Sequence, residues 1–425
     1  MSSEPQIARV RGRRVWDSRG RPTVEAEVVL RGGAYGRAIA PAGASRGSGE
    51  ALDRRDGGAA FGGYGVGAAV AAVNDAIGPM LQDLDATDQD SIDRRLIELD
   101  GTPDRSRLGA NATIAVSMAV AHAAAAAAGE PLWRHLRPEG ATLPLPEIQI
   151  FGGGAHAGRR VDVQDFMVVC PGAATFAEAL DWTAEVYRAA GALMAEAGKL
   201  KGVADEGGYW PEFATNEEAL ATLLRAIERA GLRPGEQVAI ALDVAASEFG
   251  RNGLYKLALE GCQLDSEGMI VLLMGWLERY PIVSIEDPLA EDDLDGFAAF
   301  TAAVGDRVQV VADDLTVTDA ARVRDAATRG AANTLLVKPN QRGTLTEARA
   351  AFDAAQAAGW RTIASARSGE TEDVTIVHLA VGWGAPQLKV GSFARSERMA
   401  KWNEALRIEE ALGAGARLAR PFASS

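Results

Sequence analysis

The chain of 425 residues has few cysteines and no stretch dense in basic residues. Two cysteines, Cys170 and Cys262, cannot form a disulfide framework, and we expect two buried, reduced thiols, with a single bridge as the alternative. Lysine and arginine total 44 against 58 acidic residues, and the formal net charge is −14. Because nucleic-acid phosphates bind basic surfaces, this charge predicts that nucleic acid is not a partner.

The sequence also lacks an apolar targeting or membrane segment. The N-terminus, MSSEPQIARVRGRR, has no apolar core of the kind found in signal peptides. The most apolar segment, residues 115–129, is mostly alanine and contains His122, and it is too short and too weakly apolar to be predicted as a transmembrane helix. These features predict a cytoplasmic protein with no membrane partner.

The pattern of apolar residues changes near residue 140 and predicts two domains. Residues 6–40 contain three alternating runs separated by turn residues, IARVRGRRV, TVEAEVVL and AYGRAIA, which predict an antiparallel meander. Helical patterns follow at 66–84, 89–99 and 111–128. Prolines and a glycine in residues 137–146 indicate a boundary, so we predict an N-terminal α+β domain over 1–138 and a second domain over 139–425.

The second domain alternates short apolar strands with amphipathic helices. The predicted strands are VAIAL, PIVSI, VQVVA, TLLV, TIASA and PQL, and helical patterns at 273–279, 318–327 and 345–358 lie between them. Repeated strand–helix units with short connections predict parallel strands that close into an α/β barrel.

A charged residue follows each of these strands. In chain order they are Asp243, Glu286, Asp313, Lys338, Arg367 (followed by Ser368) and Lys389. In a barrel the carboxyl ends of the strands meet at one face, which carries the active site. Polar loops also place charges after strands, but three carboxylates followed by three cations indicate a functional site.

The chemistry of these side chains favours one class of reaction. Three carboxylates form a hard oxygen site that suits Mg²⁺ or Mn²⁺ rather than zinc. Together with the cations, this site fits removal of a proton next to a carboxylate, since the enediolate charge must be stabilised. The base would be a neutral Lys338, its pKa lowered by nearby cations, with Lys389 as a permanent cation. Glu206 in ADEGG could protonate a leaving hydroxyl, although alone it would be an ordinary turn residue.

Several segments resemble those of enolases: WDSRGRPTVE, LGANA, ADEGG, SIEDPLAEDD, VADDLTVTD, RSGETED and ARSERMAKWNEALRIEE. The resemblance extends over nearly the whole chain. It implies a three-stranded antiparallel sheet with helices, followed by an enolase-type α/β barrel. It also implies a hydro-lyase with two Mg²⁺ ions per site, a small anionic substrate and a homodimer or higher homo-oligomer.

The resemblance also implies roles for individual residues. The first metal ion would be held by Asp243, Glu286 and Asp313, and a second by Ser45 of the PAGASRG loop together with the substrate. The base would be Lys338, the acid Glu206 and the carboxylate ligand Lys389. The phosphoryl group would be bound by Arg367 and Ser368. His156 matches a histidine near the leaving hydroxyl; its alternative is an ordinary loop histidine.

Some residues of the predicted site depart from the family pattern. Gln164 is followed by Asp165 where enolases have glutamate, and we still expect Gln164 to bind substrate and Asp165 to take part in catalysis. Ala366 stands where enolases have a histidine, and Gly152 where they have the asparagine of an Asn-Gly-Gly loop. Arg46 stands where they have a threonine, and Arg342 where they have an apolar residue.

These departures suggest an altered substrate with unchanged chemistry. Loss of an imidazole at Ala366 would open space beside the phosphoryl group, and Arg46 and Arg342 could pair with an added carboxylate. The favoured substrate is 2-phosphonoformylglycerate, dehydrated to carboxyphosphonoenolpyruvate in phosphinothricin-type antibiotic biosynthesis. The first alternative is an ordinary glycolytic enolase that converts 2-phosphoglycerate to phosphoenolpyruvate. The second is an enolase-like scaffold or binding protein of low activity.

Overall fold

The computed structural model describes residues 4–137 and 139–422. Strands β1 (Ile7–Trp16), β2 (Pro22–Leu30) and β3 (Tyr35–Ile39) form an antiparallel sheet in that order, which confirms the predicted meander. The predicted domain boundary between residues 138 and 139 includes Pro138, which lies outside the described residues, and the boundary stays a prediction.

Helices α1 to α5 complete the N-terminal part of the chain. They are α1 (Gly67–Ala71), α2 (Gly78–Leu81), α3 (Gln89–Asp100), α4 (Ala110–Ala127) and α5 (Leu132–Leu136). The helix predicted at 66–84 is interrupted by a π-helical segment, Ala72–Ile77. Within it, the Asn74 side chain accepts from the Gly12 N–H at 2.8 Å and donates to the Gly12 carbonyl at 3.1 Å. These two bonds fasten the irregular turn to β1.

The apolar helix α4 is long and apolar enough, by length and composition, to cross a membrane. It begins five residues before the apolar segment at 115–129, so the expectation that this segment is too short and too weakly apolar to span a membrane was wrong. However, 83% of its apolar window is buried inside the protein, where it packs against β2 and β3. Its apolar surface is therefore covered by this chain itself.

Eight strands close a barrel in the second part of the chain, and three more form a separate small sheet. In chain order all of these strands are β4 (Leu145–Gly152), β5 (Asp165–Val169), β6 (Ala239–Asp243), β7 (Gly250–Arg251), β8 (Leu254–Leu257), β9 (Cys262–Asp265), β10 (Ile282–Glu286), β11 (Gln309–Ala312), β12 (Thr334–Val337), β13 (Arg361–Ser365) and β14 (Gln387–Ser392). Around the barrel they run β4, β5, β6, β10, β11, β12, β13 and β14, which then pairs with β4. The predicted barrel is confirmed.

The six predicted strands, β6 and β10 to β14, are parallel as expected, but the barrel also contains one antiparallel strand that was not predicted. Strand β5 is antiparallel to both of its neighbours, β4 and β6. The connection between β4 and β5 contains one short 3₁₀ turn, Gly154–Ala157, and no crossover helix. A parallel connection would need such a crossover, so the chain reverses direction here. The sequence analysis identified neither β4 nor β5.

Helices surround the barrel, and six of the eight in this part of the described chain begin at side-chain caps. They are α6 (Phe176–Glu196), α7 (Asn216–Arg229), α8 (Ser266–Arg279), α9 (Leu294–Val304), α10 (Ala320–Thr328), α11 (Leu345–Ala357), α12 (Thr375–Trp383) and α13 (Ser396–Leu412). The predicted helical patterns at 273–279, 318–327 and 345–358 lie mainly within α8, α10 and α11. At α8, α10 and α11 the capping oxygens belong to Asp265, Asp319 and Thr344. Such caps satisfy backbone N–H groups that have no partner within the helix.

The small sheet β7–β8–β9 lies outside the barrel and explains one wrong prediction. Cys262 begins β9 and is exposed, whereas Cys170 follows β5 and is buried. Both cysteines are free thiols, as expected. Only Cys170 is the buried thiol that the sequence analysis predicted, because β9 packs on a hairpin rather than in the core.

Candidate active site

The charged residues predicted at the strand ends meet at one mouth of the barrel. Asp243 and Glu286 end β6 and β10 and are direct partners in the parallel register. Asp313 and Lys338 follow the next two strands, β11 and β12, and Lys389 lies within β14. All five are buried, with at most 7% of each residue exposed. The strand register therefore brings three carboxylates and two amines together in one buried cluster.

Each lysine is paired with carboxylates of this group. Lys389 Nζ donates to Asp243 Oδ2 at 2.8 Å and to Glu286 Oε2 at 2.7 Å. Lys338 Nζ donates to Asp313 Oδ2, and Asp313 Oδ1 accepts from Gln341 Nε2 at 2.9 Å. The two ammonium groups thus supply the positive charge that balances the carboxylates.

The carboxylates fit a divalent cation. Glu286 Oε1 is buried and has no hydrogen-bond partner among the described residues. Burial, and next the neighbouring Asp243 charge, raise the pKa of Glu286 well above its usual range. A hard cation would coordinate the unpaired oxygen and offset the repulsion between the carboxylates. Asp243, Glu286 and Asp313 are therefore a suitable oxygen set for Mg²⁺.

Two other groups of side chains bring their ligand atoms closer together than this triad. Within the described ranges, His156, Asp165 and Glu206 form one group and Asp287, Asp313 and Asp314 the other, with ligand atoms inside 4.8 Å of one another. In the second group both oxygens of Asp287 are engaged, since they accept from the N–H groups of Asp313 and Asp314 at 3.0 and 2.9 Å. Asp287 thereby orders the turn that carries Asp313.

His156 lies in a buried network on the β4–β5 side of the mouth. Its Nδ1 is 2.9 Å from Asp165 Oδ1, and its Nε2 is 3.1 Å from Ser368 Oγ and 3.6 Å from Glu206 Oε1. Burial alone would lower the pKa of His156, but Asp165 and Glu206 raise it to about 9. Burial would raise the pKa of Asp165, but His156 holds it at about 2. The pair is a buried imidazolium–carboxylate.

This pair predicts a specific titration. Because the folded-state pKa of His156 lies above the unfolded value of about 6.5, the pair stabilises the fold fully below pH 6.5, and that contribution is lost as the pH rises through about 9. In metal-free protein, NMR should show His156 titrating near pH 9. In Asp165→Asn, the pKa of His156 should fall, because burial opposes the charge and the neighbouring carboxylate is lost. A wild-type pKa near 6.5 would contradict this assignment.

Arg367 and Ser368 follow β13 and lie beside the histidine network. The Arg367 guanidinium is buried and donates to Glu50 Oε1 at 3.0 Å, Glu50 Oε2 at 3.2 Å and Asn340 Oδ1 at 2.9 Å. Burial opposes the charge of Arg367, but Glu50 and Asp313 together more than compensate and raise its pKa. An anionic group that binds Arg367 must therefore share it with Glu50.

A cavity of about 20 Å³ is enclosed by these side chains. Its lining includes Ser45, Gln164, Glu206, Lys338, Ala366, Arg367 and Lys389. A second cavity of about 30 Å³ shares Ser365 and Ala366 with the first. Such volumes hold one or two waters, so a three-carbon phosphate could enter only if the lysine and Glu50 contacts were exchanged for contacts to ligand.

The remaining predicted substrate ligands differ in their positions. Gln164 Nε2 donates to Asp243 Oδ2 at 3.0 Å, inside the site. Arg46 is exposed and does not line the cavity; its Nε is 3.7 Å from Glu50 Oε2. Arg342 pairs with Asp319 at 3.1 Å and Glu347 at 3.5 Å, away from the cavity. The structure does not bring Arg342 into the site, because the 3₁₀ turn Pro339–Gln341 directs it towards α10 and α11.

This architecture matches one protein family along the chain. The model of the enolase N-terminal domain matches residues 7–136, and that of the enolase C-terminal TIM barrel domain matches residues 140–422. The chain belongs to the enolase family. Enolases are Mg²⁺-dependent lyases, and the acidic groups of this enolase-family site are consistent with that class.

The lowered pKa expected for Lys338 at this enolase-family site depends on a bound divalent cation and stays a prediction. Without that cation, burial lowers the pKa of Lys338, but the charges of Asp313 and Glu286 together outweigh burial and leave the pKa above its usual value. Lys338 is therefore an ammonium here. A divalent cation bound to the Asp313 carboxylate would weaken the interaction that raises the pKa of Lys338.

Sequence reasoning also missed three buried polar residues of this enolase-family site: Gln149, Gln341 and Glu50. Gln149 Nε2 donates to Asp165 Oδ1, and its Oε1 accepts from the Gly208 N–H at 2.9 Å. Gln149 therefore connects the histidine network to the loop of Glu206. The signal available was an amide within a run of apolar residues on β4, a strand that was not predicted.

Proposed function

We propose that the chain is a Mg²⁺-dependent hydro-lyase that removes the α-proton of a 2-phosphoglycerate-like substrate and then eliminates water. One observation carries the proposal. Lys338 follows β12, and Asp165 begins β5, four strands away in the eight-stranded barrel. An amine among carboxylates thus faces an acid and an imidazolium across the barrel mouth. A substrate between them could lose a proton on one side and hydroxide on the other.

Each side chain has a separate task in this reaction. When bound by Asp243, Glu286 and Asp313, the divalent cation would supply charge that stabilises the enediolate. Lys338, as the uncharged amine, accepts the α-proton at Nζ. The Lys389 ammonium binds the substrate carboxylate. Glu206 donates a proton to the departing hydroxyl, and the His156 imidazolium, held by Asp165, stabilises charge beside it.

The anionic head group would be bound at the β13 end of the cavity. Arg367 and Ser368 offer a guanidinium and a hydroxyl there, and the Ser45 carbonyl accepts from Arg367 Nη2 at 3.2 Å. Ser45 also lines the cavity, so we propose that it helps to hold a second Mg²⁺ together with the head group.

Within this class we propose 2-phosphonoformylglycerate as the substrate. Ala366 borders both cavities, so the site can enlarge next to the head group. The second cavity contains Glu370, Asp373 and apolar side chains, which disfavour an added carboxylate. That carboxylate would instead lie beside Arg46. Arg46 pairs with Glu50, and Glu50 pairs in turn with Arg367.

Side-by-side turnover of 2-phosphoglycerate and the phosphonate analogue with Mg²⁺ tests the substrate. We expect a higher kcat/KM for the analogue. Arg46→Thr should lower kcat/KM for the analogue about tenfold, the effect of one lost charged hydrogen bond, with little effect on 2-phosphoglycerate. Arg11→Thr, on the exposed face of β1, is the control. Turnover of 2-phosphoglycerate but not of the analogue would support an ordinary enolase. Turnover of neither substrate would favour the enolase-like scaffold of low activity.

We further propose that the enzyme acts in the cytoplasm as a homodimer. Light scattering of the purified protein should then give about twice the chain mass of 44.6 kDa. A mass equal to one chain would contradict the dimer.

A further inference from the structure

Arg398, near the start of α13, is fully buried but does not line the substrate cavity. Its Nη1 donates to the carbonyl oxygens of Arg367 at 2.6 Å and Val390 at 2.7 Å. Its Nη2 donates to the carbonyl oxygen of Ser368. One guanidinium thus joins the loop after β13 to β14, and Val390 directly follows Lys389.

The surroundings of Arg398 are unusual for a buried cation. The nearest carboxylate oxygen paired with it, Glu397 Oε1, is 3.6 Å from Nε. Nε has no hydrogen-bond partner among the described residues. Buried charges are commonly compensated by close carboxylates, and an apolar side chain in such a place is often at least as stable. The hydrogen bonds of Arg398 are therefore better explained by the backbone segments that they hold in place than by a contribution to the stability of the fold.

We propose that Arg398 is a positioning residue that fixes Arg367 and Ser368 for the anionic head group of the substrate. The inference rests on the proposed function, in which those two residues bind that group. Two of the three carbonyls held by Arg398 belong to the head-group ligands themselves, so these bonds restrict the backbone from which each of the two side chains extends. The third bond, to Val390, fixes this loop relative to the strand of Lys389.

A neighbouring contact supports the same role for α13. Lys401, one turn further along and also fully buried, donates to the Thr371 carbonyl at 2.7 Å and pairs with Glu370 Oε2 at 2.8 Å. Glu370 Oε1 in turn accepts from the Arg367 N–H at 3.0 Å. Two buried cations of one helix thus hold the segment 367–371 at both ends.

The shape of the guanidinium matters for this role. Its planar fork directs several N–H groups to carbonyls on two chain segments, whereas an ammonium is a compact charge on a flexible stem. Arg398→Lys keeps the charge but cannot reproduce this geometry. It should therefore weaken head-group binding less than Arg398→Met does, yet measurably.

Calorimetric titration with inorganic phosphate, in the presence of Mg²⁺, tests the proposal on the full-length protein. We expect Arg398→Met to weaken phosphate binding about ten- to a hundredfold, the scale of a misplaced ligand group. Affinity for the first Mg²⁺, measured without phosphate, should change less than twofold, because its carboxylates lie on β6 and β10 and directly after β11. Arg407→Met, an exposed arginine of α13, is the control. In turnover assays KM should rise more than kcat falls.

Three outcomes would overturn parts of this account in different ways. Wild-type phosphate affinity in both Arg398 variants would overturn the positioning role. Equal loss of phosphate and Mg²⁺ binding would also overturn the positioning role, since it would indicate that the whole site is destabilised. If Arg398→Met does not fold, the phosphate and Mg²⁺ affinities of Arg398→Lys decide the question in the same way. Absence of Mg²⁺ and phosphate binding by the wild type would instead overturn the proposed function.

Discussion

Replacing Lys338 by methionine should lower turnover about 10²- to 10⁴-fold, the usual contribution of a positioned general base. The substrate would still be bound by Lys389 and the Arg367 loop, so KM should change much less than kcat. Exchange of the substrate α-proton with solvent deuterium should fall to the same extent, because Lys338 is the proposed acceptor of that proton. Steady-state kinetics and NMR of the substrate measure both effects.

The control for this variant is Lys256→Met, an exposed lysine on β8 outside the barrel. Assays should contain saturating Mg²⁺, because removal of Lys338 leaves the buried Asp313 carboxylate without its ammonium partner. Retention of more than about a tenth of wild-type turnover, well outside the range expected for a general base, would show that Lys338 is not the base.

Replacing Glu286 by glutamine should have opposite effects on metal binding and on the metal-free fold. Mg²⁺ at a hundred times its Kd should stabilise the wild type by about 2.7 kcal/mol, and the variant much less. Without metal, the variant should be at least as stable as the wild type at pH 7. Burial and Asp243 raise the pKa of Glu286, so its ionised form destabilises the fold above the unfolded pKa, and an amide removes that cost.

Thermal unfolding with and without Mg²⁺ measures both effects of the Glu286 replacement. Glu278→Gln, an exposed glutamate on α8, is the matched control and should respond to Mg²⁺ as the wild type does. If Mg²⁺ raised the Tm of Glu286→Gln as much as that of the wild type, Glu286 would not be a metal ligand.

The sequence predicted the barrel and the meeting of its charged strand ends because both follow from local rules. Apolar runs of strand length alternate with helical patterns, and parallel register then places Asp243, Glu286 and Asp313 on neighbouring strands. The antiparallel β5 could not be predicted this way. Its direction follows from a β4–β5 connection that contains no crossover helix, and Glu147 and Gln149 interrupt the apolar pattern of β4.

The protonation of Lys338 and the orientations of the arginines were beyond sequence reasoning for another reason. Each depends on distances between residues far apart in the chain. Asp313 sets the charge of Lys338, Glu50 pairs with Arg367 across more than three hundred residues, and the turn after Lys338 directs Arg342 away from the site. Spacing along the sequence identifies which residues reach the mouth of the barrel, but not which of them pair.

Anomalous scattering from a crystal of the protein with Mn²⁺ tests the central claim most directly. The account predicts a peak coordinated by oxygens of Asp243, Glu286 and Asp313 at roughly 2.0–2.5 Å, with the Lys389 and Lys338 ammonium groups displaced from those carboxylates. A peak among Asp287, Asp313 and Asp314, or beside His156 and Asp165, with Lys389 still bound to Asp243 and Glu286, would contradict it.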